Sequence, residues 1–142
     1  MSDVFNTVLA GVFVYVLGQI LMKLVVDPIL DFRRFRGEVS AFFLRNQGVL
    51  FGASASEQTQ EDIFALASML VQKREAIVFP SWLAYILFCL PRSEDALVAA
   101  RRLNFIGNVA ASREKQVQVW EAMKELETLL RVKLTYETPG PS

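Results

Sequence analysis

Histidine is absent from this 142-residue chain, and cysteine occurs once, at position 89. The first absence removes the commonest general base and the commonest metal ligand together. The second excludes an intramolecular disulfide and agrees with a reducing compartment. Net charge is missing as well, because fifteen Lys and Arg balance fifteen Asp and Glu. A balanced chain lacks the broad basic field of a nucleic-acid binder, so no nucleic-acid partner is expected. There is no internal repeat and no strand-like alternation of apolar and polar residues. What the chain has in abundance is apolar surface. Hydrophobic residues make up 53% of it, against roughly 45–50% in ordinary soluble domains, and the mean hydropathy is +0.32. The length suits one domain with at most an appendage.

The excess is concentrated at the start. From Val4 to Met22, nineteen residues pass without a charge. At about 1.5 Å per residue they make roughly 28 Å of helix, close to the ~30 Å hydrocarbon core of a bilayer. Leu24, Val25 and Val26 lengthen the run if Lys23 snorkels its ammonium to the interface. A cleaved secretory signal needs a positive leading region and a small-residue cleavage site. Here the flanks are Met-Ser-Asp before the run and Asp-Pro followed by bulky residues after it. A membrane span is therefore the expectation, over a signal peptide or a buried soluble helix. Lys23, Arg33, Arg34, Arg36 and Arg45 all follow the span, whereas only Asp3 precedes it. By the positive-inside rule the N-terminus lies outside and the rest in the cytoplasm.

Beyond the span the periodicity is helical. Asp27-Pro28 predicts a kink or break, since proline suits a first helical turn and disfavours helix at the residue before it. Phe32, Phe35, Val39, Phe42 and Phe43 then recur on one side, and Gly48 and Gly52 mark a loop through NQGVLFGASAS. A helix opens near Ser56 or Thr59, with Asp62 completing a capping box and Ile63, Leu66, Leu70 and Ile77 as its stripe. Gln72, Lys73, Arg74 and Glu75 read as solvated. Ser93 reads as the next N-cap, ahead of a stripe through Leu97, Ala100, Leu103, Ile106 and Val109 that Gly107 interrupts. A last helix runs from about Ser112 to Leu134 with a Val119, Met123, Leu126, Leu130 seam. The predicted fold is all-α: an N-terminal transmembrane anchor (1–27), a cytoplasmic bundle of about four helices (28–135) and a disordered tail (136–142).

One run stays ambiguous. Ala76 to Leu90 is fifteen residues without charge and has Pro80 near its start. That is short for a span and fits a core helix, a membrane-surface or partner-covered helix, or a second crossing. Trp82 and Tyr85 suit the surface alternative, as amphipathic rings sit at headgroup level. Seven basic residues lie between 23 and 75 and eight between 92 and 142, so no charge bias favours moving the C-terminal part across.

Two constellations are candidates for function. Directly after the span, DPILDFRRFRGEV interleaves arginine and phenylalanine on the anionic leaflet's side. Lys23, Arg33, Arg34 and Arg36 could hold that helix on lipid at about 1 kcal/mol each, or serve as an ordinary stop-transfer flank paired with Asp27, Asp31 and Glu38. Within the span, Thr7, Gly11 and Gly18 share a face that permits close helix approach, and Gln19 and Asn6 could hydrogen-bond across it. Cys89 reads as a structural cysteine in an apolar run. No nucleophile elbow, phosphate-binding glycine loop or metal-ligand spacing occurs, so no enzyme, cofactor, metal or small-molecule substrate is expected. The paired carboxylates Asp27 and Asp31 read more simply as a helix cap and its neighbour.

The stretches YVLGQILMKLVVDPILDFRRFRGEVS (Tyr15 to Ser40) and LPRSEDALVAARRLNFIGNVA (Leu90 to Ala110) resemble short bacterial proteins with one N-terminal span, a proline after it and a later arginine-rich helix. That group has no assigned activity, so the resemblance carries over a bacterial cell-membrane setting and no site residue. Taken together, the expectation is a membrane-anchored interaction or scaffolding protein at the inner face of the cell membrane, meeting lipid, other proteins or itself. The alternatives are a lipid-sensing module using the basic-aromatic helix and an accessory subunit of a transport or envelope complex.

Overall fold

The computed structural model describes residues 1–52, 54–78, 86 and 88–136. Regular structure among them is entirely helical: α1 (Ser2–Leu21), a π turn (Met22–Val26), α2 (Asp27–Phe51), α3 (Glu57–Glu75), α4 (Ser93–Val109), a 3-10 turn (Arg113–Lys115) and α5 (Gln116–Leu130). The expected ambiguity over 76–90 falls mostly on residues 79–85 and 87, and the expected tail disorder on 137–142. Both lie outside the described residues.

The break predicted at Asp27-Pro28 does not occur. One helix runs without interruption from Ser2 to Phe51, 50 residues in all. Pro28 has no N–H and its ring collides with the carbonyl four residues back in a regular α-helix. The chain passes it by widening beforehand: the Asp27 N–H reaches back five residues to the Met22 carbonyl, and Pro28 then occupies the first turn of α2. Nor does the helix stop at Gly48. It continues to Phe51 and is capped by Gly52, whose N–H donates to the Gly48 carbonyl at 2.9 Å.

Burial divides this long helix sharply. No residue of α1 is buried, while Ile29, Phe32, Phe35, Val39, Phe43 and Leu50 of α2 are all 2% exposed or less. The latter fall at three-, four- and seven-residue intervals and form one face. Against it pack α3, with Ile63, Ala67 and Leu70, and α5, with the predicted seam Val119, Met123, Leu126 and Leu130, while Leu103 and Ile106 of α4 complete the core from between α3 and α5. Three predicted stripe members differ, Leu66 of α3 being only half-buried. Leu97 is 46% exposed, its inward role being taken by Ala96, Ala99 and Ala100, and Phe42 is only half-buried. The small alanines and Gly107 bring α4 close to α3. A Cβ on Gly107 would lie 2.7 Å from Cε1 of Phe64.

Helix starts fall near their predicted caps. Ser56 caps α3 by accepting from the Thr59 N–H at 3.2 Å. The α4 cap is Arg92 rather than Ser93, and its N–H donates to the Asp95 carboxylate at 3.2 Å. The last helix ends four residues early. Arg131 adopts φ 54°, a left-handed residue that stops α5, and the Arg131 and Val132 N–H groups both turn back to the Glu127 carbonyl.

Residues 131–136 then run along α2 as an extended strap. Arg36 donates to the Arg131 carbonyl, Ser40 to the Lys133 carbonyl, and the Tyr136 N–H to Oε1 of Gln47. From Arg36 to Gln47 a helix rises about 16 Å, the distance five extended residues cover. The strap buries Leu134 and Thr135.

Candidate functional site

The basic cluster after α1 is the first candidate, and the fold splits it. Side chains on a helix reach back over the turn before their own Cα. Arg33 uses this reach to donate to the Phe88 carbonyl at 3.1 Å, and Arg36 to the Cys89 carbonyl at 3.3 Å and the Arg131 carbonyl at 3.5 Å. Two of the three expected lipid-facing arginines are therefore tied to backbone carbonyls of this chain. Arg34 and Lys23 are exposed, with no hydrogen bond or ion pair among the described residues. Of the carboxylates expected to neutralise the cluster, Asp31 pairs instead with Lys73 of α3 at 2.6 Å, and that ammonium lies 5.9 Å from the centre of the Phe35 ring.

Of the carbonyls so held, that of Phe88 is on a helical residue and that of Cys89 on irregular backbone. Cys89 takes φ 51°, a left-handed conformation that costs a residue with a Cβ roughly 1–2 kcal/mol. It is exposed, unlike the packed structural cysteine expected from its apolar neighbours. Arg74, expected on the solvated side of α3, is 4% exposed, and its Nε donates to the Pro91 carbonyl at 3.1 Å. Its place was legible: Arg74 falls four residues after Leu70 and three before Ile77, on the buried stripe itself. Three guanidinium groups from α2 and α3 thus converge on the carbonyls of residues 88, 89 and 91.

Burial lowers the Arg36 pKa from its ordinary value, and repulsion from Arg33 and Arg131 adds to the effect, while Cys89 opposes it. Burial lowers that of Arg74 too, against the attraction of Glu75. Both remain cations, as arginine does throughout proteins. Nε of Arg36 and Nη2 of Arg74 are buried without a hydrogen-bond partner.

Glu127 is a polar centre that sequence periodicity does not reveal. One carboxylate oxygen accepts from the Leu134 N–H at 2.8 Å, the Thr135 N–H at 3.0 Å and the Thr135 hydroxyl at 3.0 Å. Burial alone would raise its pKa, but these donors and Lys124 outweigh that and hold it below the ordinary carboxylate value. Its role is to fasten the strap.

The second candidate is the α1 face. Thr7 spends its hydroxyl within the helix, donating to the Asp3 carbonyl at 2.8 Å. Gly11 and Gly18 have open space where a Cβ would stand, and Gln19, like them, is exposed. The fold therefore brings none of these four against another part of the described chain. Two hollows lie elsewhere: a polar recess of about 320 Å³ between Pro91, Arg92, Asp95, Thr128, Leu129 and Arg131, and an apolar groove of about 240 Å³ along Phe51, Gln116, Val117 and Trp120. Among the described residues no group of three or more acidic or cysteine side chains is arranged to hold a metal ion.

Comparison with family models, with curated proteins and with solved structures returns no match.

Proposed function

We propose that this protein is a membrane-anchored interaction module, with α1 spanning the cell membrane and the helical body held against the cytoplasmic leaflet. One observation carries this reading. The same continuous helix that supplies the central core face in α2 continues for about 20 residues as α1, uncharged from Val4 to Met22 and without a buried side chain. Water is a poor solvent for such a surface, and exposed apolar patches of this size belong to membrane or partner contacts. The basic residues that follow α1 support an orientation with the body in the cytoplasm. The bacterial setting rests on the resemblance of Tyr15–Ser40 and Leu90–Ala110 to single-span proteins.

As a scaffold, the protein would act through binding rather than chemistry, with α1 also available to other helices in the bilayer. The open face around Gly11 and Gly18 supports an accessory role in which α1 packs on a partner span. Photocrosslinking tests the reading on the full chain in bacterial membranes. A crosslinker at Phe13 is expected to give discrete protein adducts in a pellet that resists alkaline carbonate. Recovery of the chain in the carbonate supernatant would end the anchor reading. Lipid adducts alone, with no protein adduct, would end the scaffold reading.

The lipid-sensing alternative draws on the exposed Lys23 and Arg34 and is narrowed by the carbonyl contacts of Arg33 and Arg36. In it the body would grip anionic headgroups through Lys23 and Arg34, with the two tethered arginines adding only their field.

A further inference from the structure

The uncharged run from Ala76 to Leu90 begins and ends at one place. Arg74, just before it, donates to the carbonyl of Pro91, just after it, at 3.1 Å. A single arginine side chain therefore spans the gap between the two ends. A run closed in this way cannot cross a ~30 Å hydrocarbon core once. Nor can it cross and return, since half of fifteen residues reaches at most about 25 Å even when fully extended.

The place is the end of the body nearest α1. Lys73 is paired with Asp31, and Phe88 is held by Arg33. Asp31 and Arg33 stand five and seven residues past Val26, where the apolar stretch ends, which is about 7 to 10 Å along the helix. Each headgroup layer is about 5–8 Å deep, so this level lies at its outer edge. The large apolar side chains at this level are not all turned inward. Val78 is 78% exposed and Ile86 66% exposed, and on the helix that continues into α1 Leu24 is 54% and Leu30 45% exposed. Lys23, Arg33 and Arg34 are exposed cations of the same region, among the exposed acids Asp27, Asp31 and Glu75.

We propose that Val78 and Ile86, with Leu24 and Leu30, form a lipid-facing rim that dips into the headgroup layer of the anionic cytoplasmic leaflet. The occupant of this surface is lipid. Leu24 and Leu30 carry the rim on from the span, Lys23 and Arg34 supply cations for acidic headgroups, and shallow apolar insertion beside basic residues is how interfacial segments bind. The body then does not swing on its anchor but stands on the membrane by its α1-proximal end, held at two points. The proposal rests on α1 spanning the bilayer.

Depth-dependent quenching tests it. The full chain, with Cys89→Ser to leave one thiol, carries a fluorescent label at Val78→Cys, Ile86→Cys, Val117→Cys or Phe13→Cys and is reconstituted into phosphatidylglycerol-containing vesicles. All four native side chains are largely exposed, so the label displaces no core. Labels at 78 and 86 are expected to show blue-shifted emission and to lose more intensity to a nitroxide near the headgroups than to one deep in the acyl chains. The label at 13 should be quenched by the deep nitroxide and that at 117 by neither. If 78 and 86 behave like 117 while 13 is quenched, the rim is wrong and the anchor stands. Stronger quenching of 78 or 86 by the deep nitroxide also overturns a shallow rim. An unquenched label at 13 removes the anchor, and the rim with it.

Discussion

α1 and α2 are two halves of one helix and obey opposite rules. In α1 apolar residues occupy every side of the helix from Val8 to Gly18, and no residue of α1 is buried. In α2 the same backbone carries its apolar residues on one face and its charges on the other, and that face is covered on successive sides by α3, α5 and the strap. The difference lies in what each half needs as solvent. An amphipathic face gains stability by excluding water against neighbours of its own chain, whereas an all-round apolar surface finds no such neighbours here. The π turn marks the changeover, since burial begins at Val25 and Val26, within its last two residues, and is complete by Ile29.

The sharpest way to break this contrast is to delete one phenylalanine from each half. Phe35 is 1% exposed and Phe13 62% exposed. Phe35→Ala leaves a cavity in the core and is expected to cost about 3–5 kcal/mol, read as a large fall in the melting temperature of the body in detergent micelles. Phe13→Ala should leave that melting temperature where it was. Equal effects would mean that α1 belongs to the folded core.

A smaller effect is expected where α2 is covered by the strap. Glu127→Ala removes the acceptor of three hydrogen bonds and should cost about 1–3 kcal/mol. Acid gives the same result by titration. Because the folded-state pKa of Glu127 is depressed, its contribution is fully present above the ordinary carboxylate value of about 4.3 and is lost as pH falls through the lower folded value. Amide exchange at Leu134 and Thr135 should accelerate in that acid window, ahead of exchange in α2, and the Glu127→Ala chain should lack this step. The smallest effect is a gain. Cys89→Gly relieves a left-handed residue of its Cβ and should stabilise the body by about 1 kcal/mol or less, measured by the same melting. A loss there would show that the thiol makes a contact its exposure does not suggest.

Legibility in the sequence followed the same division. The helical class, the caps near Ser56 and Ser93 and the α5 seam could all be read from local pattern, because they repeat every few residues or depend on near neighbours. Arg74 was missed because charge was weighed above position, although Leu70 and Ile77 already placed it on the buried stripe. Asp27-Pro28 misled because a π turn beforehand can absorb a proline, and no residue announces that turn. The candidate site was legible in composition only. Arg33, Arg34 and Arg36 are adjacent and chemically alike, yet two are tied to carbonyls more than 50 residues away and one is not.

Sequence alone determined that this chain is helical and that a run of nineteen residues near its start, Val4 to Met22, carries no charge. Both follow from side-chain chemistry repeated over short distances. Tertiary structure decided which arginines are spent on the fold, where α5 gives way to the strap, and that the uncharged run at 76–90 is closed at its ends. Each of these turns on a backbone carbonyl meeting a distant side chain, and carbonyls are the same in every residue, so the pairing is invisible until the chain is folded.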